Sequence, residues 1–173
     1  MRSPVLDTSR ELRVVVGVGD WIAATGTQSN LVTYALGSCI GVTAWDPVAK
    51  AGGLLHFMLP DSSLNPEKAR LKPGMFCDTG LAILLQELEK RGAKRHRLRI
   101  ILAGGAKASG GGDFFDIGRR NHLAAKRKLW EAGLAVEDEE CGGEISRTLR
   151  LKLGEGKVSV RDSFGERELG RKF

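Results

Sequence analysis

Residues 40–59 read IGVTAWDPVAKAGGLLHFML, two largely apolar runs separated by a turn signal. The first run, Ile40–Trp45, contains the β-branched and aromatic residues that suit a strand. The dipeptide Asp46-Pro47 favours a turn, because proline restricts φ and aspartate bonds nearby amides. The second run, Gly53–Leu59, is again strand-like and is followed by a proline. Together these features predict a β-hairpin.

The sequence on either side of this hairpin adds strands and two helices. Asp78–Arg91 has leucines at helical spacing, with Asp78 as the expected N-cap and Gly92 after the end. Residues 121–132 predict a second helix. Further strands are predicted at 14–16, 21–23, 31–34, 98–102, 134–136, 148–153 and 157–160. Strands clustered early and late around two helices indicate a mixed α+β fold, with a doubly wound parallel sheet as the alternative.

The length of 173 residues fits one domain. Residues 1–12 are polar and without periodicity, which predicts a flexible N-terminal segment. Residues 13–160 carry the predicted elements. Residues 161–173 are predicted to be a charged, mobile tail.

Composition excludes several classes of protein. Lys and Arg exceed Asp and Glu by 27 to 21, but the charges are scattered without interleaved aromatics, which disfavours nucleic-acid binding and suits docking onto acidic proteins. Three distant cysteines argue against a disulfide framework or a zinc site. No motif indicates a metal or another cofactor. No apolar run approaches the ~18 residues of a membrane span, so we predict a cytoplasmic protein with no membrane insertion.

Cys39 and His56 come together if the hairpin has a two-residue turn. With Pro47-Val48 as that turn, Cys39 directly faces His56. Opposed side chains share one face of the sheet with Cβ atoms roughly 5 Å apart. That spacing suits a thiol–imidazole hydrogen bond, although a loop one residue longer would shift the register and require a bulge.

A thiol beside an imidazole can form a nucleophile and its base. A free thiol has a pKa near ~8.5, and an imidazole can take its proton and later pass it to a leaving amine. Thr33, on the preceding strand, is the candidate to hold the ring through its hydroxyl. A bend at Gly37 and Ser38 would let backbone amides, that of Cys39 among them, form an oxyanion hole.

The same residues also have interpretations without chemistry. A cysteine in an apolar strand is commonly a packing residue, and a strand histidine is commonly structural, so the residues alone leave both interpretations open. Cys77 and Cys141 are interpreted as packing residues. Arg120 and Asn121 are placed at the start of the second helix, where asparagine caps well. Substrate positioning is the other hypothesis for these two.

Several motifs resemble those of one known family. They are TYALGSCIGV at 33–42, GGLLHFMLP at 52–60, GGA at 104–106, IGRRN at 117–121, and GG at 142–143 with Arg147. Their order resembles the CheD family of chemoreceptor glutamine deamidases over most of the chain. The resemblance implies Cys39 as nucleophile, His56 as its proton-transfer partner and Thr33 as the third catalytic residue.

The family resemblance also implies an activity, a fold and partners. The activity is deamidation of glutamine side chains in methyl-accepting chemotaxis receptors through a thioester, by a single catalytic domain over residues 13–160. The fold is a mixed β-sandwich flanked by helices, similar to the catalytic domains of deamidating toxins. A CheC-type phosphatase is the expected regulatory partner. Two features depart from the family: Cys141 stands where an aspartate is usual, and the loop 107–112 is unusually rich in glycine.

Two other functions compete with deamidation. One is a mainly non-catalytic adaptor that regulates a CheC-type phosphatase. The other is a related cysteine activity, transglutamination or peptide cleavage. Access of water to the thioester decides between deamidation and transglutamination, and a residue list does not reveal that access.

Overall fold

The computed structural model describes residues 11–107 and 116–171. The strands in these ranges are β1 (Leu12–Val15), β2 (Trp21–Thr25), β3 (Ser29–Leu36), β4 (Ile40–Asp46), β5 (Ala51–Phe57), β6 (Arg99–Gly104), β7 (Val136–Cys141), β8 (Arg147–Lys152), β9 (Lys157–Asp162) and β10 (Gly165–Leu169). The α-helices are α1 (Pro66–Leu71), α2 (Cys77–Lys90) and α3 (Ile117–Glu131). Short 3₁₀ turns lie at Ser62–Leu64, Pro73–Met75 and Arg95–Arg97.

The strands form two five-stranded sheets. The first sheet has the order β1-β3-β8-β9-β10 and the second β2-β5-β4-β6-β7. The pairs β1–β3 and β6–β7 are parallel, and the other neighbours are antiparallel. One apolar cluster fills the space between the sheets, and a second lies between the second sheet and the helices α2 and α3. This arrangement confirms the predicted α+β sandwich with flanking helices.

The central position of the second sheet explains the apolar character of β4 and β5. Every residue of both strands is buried. Leu54 packs between the two sheets, whereas its neighbour Leu55 packs on the helix side with Leu84 of α2. A strand covered on both faces needs apolar side chains at most positions. His56 is therefore a polar side chain in one of the most buried strands.

The register of the hairpin differs from the predicted one. Gly41 faces His56, and Asp46 faces Ala51, so residues 47–50 form the connection instead of a two-residue turn. The prediction that Cys39 faces His56 directly is wrong. The partner of each residue is displaced by two positions.

The Asp46 carboxylate accounts for the longer connection. It accepts hydrogen bonds from the amides of Val48 and Ala49, at 2.8 and 3.1 Å, and pairs with Arg97 at 2.8 Å. Burial alone would raise the pKa of Asp46, but the hydrogen bonds from Arg97 and from backbone amides outweigh it and lower the pKa to about 2. The ionised Asp46 carboxylate therefore stabilises the observed four-residue connection.

Residues after 160 form part of the first sheet, which corrects the prediction of a mobile tail. The strand β9 runs to Asp162, and β10 pairs antiparallel with it from Gly165 onwards. The charged sequence of β10 suits an edge strand, where side chains meet solvent and each other. Arg167 on β10 pairs with Asp162 and with Glu140 of β7, at 3.0 and 2.8 Å. The pair with Asp162 lies within the first sheet, and the pair with Glu140 joins the edges of the two sheets.

Both helix starts also differ from prediction. The helix α2 begins at Cys77, one residue before the expected N-cap Asp78. The helix α3 begins at Ile117, where the Asp116 side chain accepts from a backbone amide at 3.0 Å. Asn121 therefore lies inside α3 and does not cap it.

Some predicted features fall outside the described ranges. Leu12 of the predicted flexible segment belongs to β1, while residues 1–10 are not described. Residues 108–112 of the glycine-rich loop also lie outside the described residues. None of the helices within 11–107 and 116–171 combines the length and apolar character needed to cross a membrane.

Candidate active site

His56 reaches from one sheet to the other to meet Thr33. His56 lies on β5 and Thr33 on β3, with His56 Nδ1 2.7 Å from Thr33 Oγ1. The same hydroxyl lies 2.6 Å from the carbonyl oxygen of Val16. A carbonyl only accepts, so Thr33 donates its proton to Val16 and accepts from His56 Nδ1–H. This network assigns the neutral tautomer whose Nε2 carries the lone pair.

The surroundings of His56 keep its imidazole neutral. The residue is 1% exposed. Burial lowers the pKa of His56 to about 4, and the nearby charge of Asp20 opposes this only in part. Nε2 is buried and has no hydrogen-bond partner in the described part of the chain. A neutral ring with an unused lone pair can accept a proton at neutral pH.

The segment between β1 and β2 supports both side chains, and sequence reasoning missed this role. Besides the Val16 carbonyl, the Asp20 carbonyl accepts from the His56 amide at 3.0 Å, and the Gly19 amide donates to the His56 carbonyl at 2.7 Å. Backbone groups occur at every position and carry no residue-type signal. Gly17 and Gly19 are the residue-type signal of a tight turn in this segment.

The loop that precedes β4 and carries Cys39 is held through three successive carbonyl groups. The chain bends over residues 37–39. The Gly37 carbonyl accepts from the Ala106 amide, and the Cys39 carbonyl accepts from the Gly105 amide, both at 2.8 Å. The middle carbonyl, that of Ser38, accepts from Asn121 Nδ2 at 3.0 Å. The loop is thus fixed against the segment after β6 and against α3.

Two amides of the same loop have no partner in another residue of the described ranges. Those of Ser38 and Cys39 donate to no other residue among those described. The carbonyl and the amide of one trans peptide point in opposite directions, so these two amides are directed away from the groups that hold the carbonyls. Amides without another partner beside a nucleophile are the groups from which an oxyanion hole can be built.

Gly104 allows the close approach of the Cys39 loop. Its φ is +113°, and a Cβ atom built there would lie 2.2 Å from the Cys39 carbonyl oxygen. No other residue type fits this contact.

Cys39 is a half-buried thiol at the edge of the inter-sheet cluster. Burial raises the pKa of the thiol, and a hydrogen bond from its own backbone amide opposes this rise. The local environment therefore favours the protonated thiol at neutral pH. Deprotonation requires a base, and the environment of His56 provides a neutral one.

Cys39 and His56 share one face of the second sheet. Gly41, the direct partner of His56, points between the sheets, where a side chain would meet Leu36 and Leu149. Cys39 lies two positions before Gly41 and packs in the same inter-sheet space. Because side chains alternate with period two, a displacement of two positions leaves the face unchanged. Both side chains therefore belong to the inter-sheet space, with Cys39 just beyond the end of the β4–β5 ladder.

Ala35 introduces an unusual backbone conformation close to the site. It has φ +57°, and the pairing of β3 with β8 is irregular between Thr33 and Leu36. The left-handed conformation costs an alanine about 1–2 kcal/mol. This irregularity redirects the chain between Thr33 and the Cys39 loop, and the residue type offered no sign of it.

Arg120 and Asn121 of α3 differ in exposure. Arg120 is exposed, whereas Asn121 is 0% exposed. Asn121 Nδ2 bonds Ser38 and, at 2.8 Å, the carbonyl of Met58. Asn121 is thus turned away from solvent, and substrate positioning by Arg120 or Asn121 stays a prediction.

The other two cysteines lie away from the inter-sheet face. Cys77 is fully buried at the start of α2, and Cys141 packs on the helix side of the second sheet. Burial is the largest influence on both thiols and raises each pKa to about 12. Both predictions of a packing role are confirmed.

Comparison with known proteins identifies the family. The family model described as CheD chemotactic sensory transduction matches residues 58–162. A curated protein of Solibacter usitatus, "Probable chemoreceptor glutamine deamidase CheD", is 44% identical over 93% of this chain and 95% of its own length. The chain belongs to the CheD family. A CheD relative from Thermotoga maritima, "Chemoreceptor glutamine deamidase CheD", is 38% identical over 91% of this chain and 97% of its own length.

The region matched by the CheD model begins after the candidate site residues. The match starts at Met58, whereas Thr33, Cys39 and His56 precede it. The alignment to the Solibacter usitatus protein spans 161 residues of 173 and therefore includes them. Another CheD relative, "Probable chemoreceptor glutamine deamidase CheD 2" of Anaeromyxobacter dehalogenans, is 47% identical over 85% of this chain and 92% of its own length.

Proposed function

We propose that this protein deamidates glutamine side chains of chemoreceptors, with Cys39 as nucleophile. Membership of the CheD family and the names of its relatives support the reaction and the substrate. The observation that carries the assignment to residues is the fixed tautomer of His56, which leaves Nε2 as a base on the face that Cys39 shares.

The first half of the reaction forms a thioester. His56 Nε2 takes the proton of the Cys39 thiol, and the sulfur attacks the carbon of the glutamine amide. The carbonyl oxygen becomes an oxyanion, which the amides of Ser38 and Cys39 stabilise. The imidazolium then donates its proton to the amide nitrogen, the C–N bond breaks, and ammonia leaves.

The second half restores the enzyme. His56, neutral again, takes a proton from a water molecule that attacks the thioester carbon. The C–S bond breaks, the sulfur regains a proton from the imidazolium, and the product is glutamate. Thr33 accepts from Nδ1–H throughout, which keeps Nε2 as the nitrogen that exchanges protons.

We further propose that the protein acts in the cytoplasm and binds a CheC-type phosphatase. A thiol nucleophile must stay reduced, which favours the cytoplasm. The family resemblance further supports binding of a CheC-type phosphatase. Co-purification of the two proteins tests this contact, and no association at micromolar concentrations would contradict it.

Mass spectrometry of a receptor cytoplasmic fragment tests the activity. Incubation with this protein is expected to produce the mass gain of an amide NH₂ replaced by OH, at specific glutamines. Cys39→Ala should abolish the gain, while the control Cys141→Ala, a thiol on the other face of the sheet, should retain it. Absence of the gain with folded wild-type protein would contradict deamidation. Incorporation of an added amine would instead indicate transglutamination.

A further inference from the structure

Asn121 connects the two segments that carry Cys39 and His56. Its Nδ2 donates to the Ser38 carbonyl at 3.0 Å and to the Met58 carbonyl at 2.8 Å. Ser38 directly precedes Cys39, and Met58 lies two residues after His56. One buried side chain of α3 therefore fixes both segments.

The orientation of this amide follows from its partners. Both partners are carbonyl oxygens, which only accept, so the donating nitrogen must face them and the flipped amide is excluded. Asn121 Oδ1 is buried and accepts from no described residue. A buried acceptor without a partner is unfavourable. Asn121 therefore holds the two segments through the two hydrogen bonds that Nδ2 donates, while Oδ1 contributes none within the described ranges.

The position of the bridge shows why backbone pairing cannot replace it. The ladder between β4 and β5 ends at the pair Ile40–Phe57. Cys39 and Met58 lie beyond this last pair, where strand hydrogen bonds no longer hold the two segments together. Asn121 bridges them at that point.

We propose that Asn121 is a positioning residue that sets the spacing of Cys39 and His56. This inference rests on the proposed function, because it assumes that the two side chains act together. Since Asn121 is buried, it acts on the reaction only through the Ser38 and Met58 carbonyls. A displacement of about 1 Å between reacting groups can slow a reaction on the order of 100-fold.

The test measures the alkylation rate of Cys39 by iodoacetamide in the folded full-length chain at neutral pH. Asn121→Leu, of similar shape but without donors, should slow alkylation at least about tenfold, and so should His56→Gln. The double variant should be no slower than the slower single variant, because each change breaks the same pair. If the two effects multiply instead, the proposal is overturned.

Leu129→Ala is the matched control. Leu129 is a fully buried residue of the same helix and packs in the helix-side cluster. Its truncation should lower the melting temperature but change the alkylation rate by less than about twofold, and its effect should multiply with that of His56→Gln. Equal slowing by Leu129→Ala would show that Asn121 acts through general stability and would overturn the proposal. If circular dichroism shows Asn121→Leu to be unfolded, Asn121→Asp, whose carboxylate cannot donate, takes its place in the same cycle.

This readout separates the inference from the proposed function. Alkylation needs no receptor substrate. Non-multiplying effects in a protein that fails to deamidate receptors would support the positioning role and overturn the function. Multiplying effects in a protein that does deamidate receptors would support the proposed function and overturn the positioning role of Asn121.

Discussion

Thr33 and His56 belong to different sheets, and the 2.7 Å contact between Oγ1 and Nδ1 joins them inside the sandwich. The Val16 carbonyl, 2.6 Å from the hydroxyl, determines the direction of this hydrogen bond. Thr33 is therefore an acceptor toward the ring. The Val16 carbonyl, which lies 17 residues before Thr33, thus selects Nε2 as the ring nitrogen of His56 that keeps its lone pair.

Removal of the Thr33 hydroxyl should impair the reaction more than the fold. In Thr33→Val, Nδ1–H loses its acceptor, the ring can rotate or change tautomer, and kcat for deamidation should fall on the order of 100-fold. Thr33→Ser keeps the hydroxyl and should retain most activity. Nitrogen NMR shifts of the imidazole check the cause, because the wild type and Thr33→Ser should share a protonated Nδ1. Equal kcat for Thr33→Val and Thr33→Ser would contradict this role.

The buried neutral His56 should make stability depend on pH. Its pKa falls from an ordinary 6.5 to about 4 on folding, so between these values the unfolded state binds the extra proton. The free energy of unfolding is therefore unaffected by protonation of His56 above pH 6.5. As the pH falls toward 4, protonation of the unfolded state lowers this free energy by up to about 3 kcal/mol.

Urea unfolding at several pH values measures this dependence. His56→Gln removes the titrating group, so its free energy of unfolding should decrease less steeply between pH 6.5 and 4.5 than that of the wild type. Carboxylates contribute equally to the pH dependence of both proteins, so the difference between the two slopes reports His56 alone. Parallel curves for the two proteins would show that the histidine is not held neutral.

Cys39 should be the most reactive of the three thiols. Burial raises the pKa of all three, and only Cys39 shares a face with the unpaired Nε2 of His56. Alkylation against pH, with each site quantified by peptide mapping, should give Cys39 the lowest apparent pKa. Buried Cys77 should not react until the protein unfolds. Equal rates at Cys39, Cys77 and Cys141 would exclude an activated pair.

Gly104→Ala should displace the Cys39 loop. The new Cβ would meet the Cys39 carbonyl oxygen at 2.2 Å, so that the loop has to move and kcat should fall at least tenfold, on the scale of a misplaced nucleophile. Gly133→Ala is the matched control, because Gly133 also has a positive φ, +76°, but a Cβ there meets nothing within 4 Å. It should cost about 1–2 kcal/mol of stability from backbone strain and leave kcat unchanged. Similar kcat for the two variants would contradict the close-contact explanation.

Local patterns in the sequence predicted the elements around the site well. The apolar runs on either side of Asp46-Pro47 are β4 and β5, and the leucines at helical spacing are α2. The error in hairpin register was two positions, an even number, so Cys39 and His56 keep the predicted common face. The motifs around Thr33, Cys39 and His56 indicate the family by themselves.

Charge patterns were misleading at the C-terminal edge. The sequence GEREL of β10 has the composition of a solvated tail. It forms a strand that pairs antiparallel with β9, and Arg167 adds ion pairs with Glu140 and Asp162. Composition reports how polar a segment is, whereas edge-strand pairing depends on which neighbours the fold supplies.

By itself, the sequence determined the candidate residues and most of the elements that carry them, because periodicity and turn preferences act over a few neighbouring residues. Only the tertiary structure decided the tautomer of His56, the bridging role of Asn121 and the close fit of Gly104. Each of these depends on a backbone carbonyl brought in from a distant segment, and such a group is the same at every position of the chain.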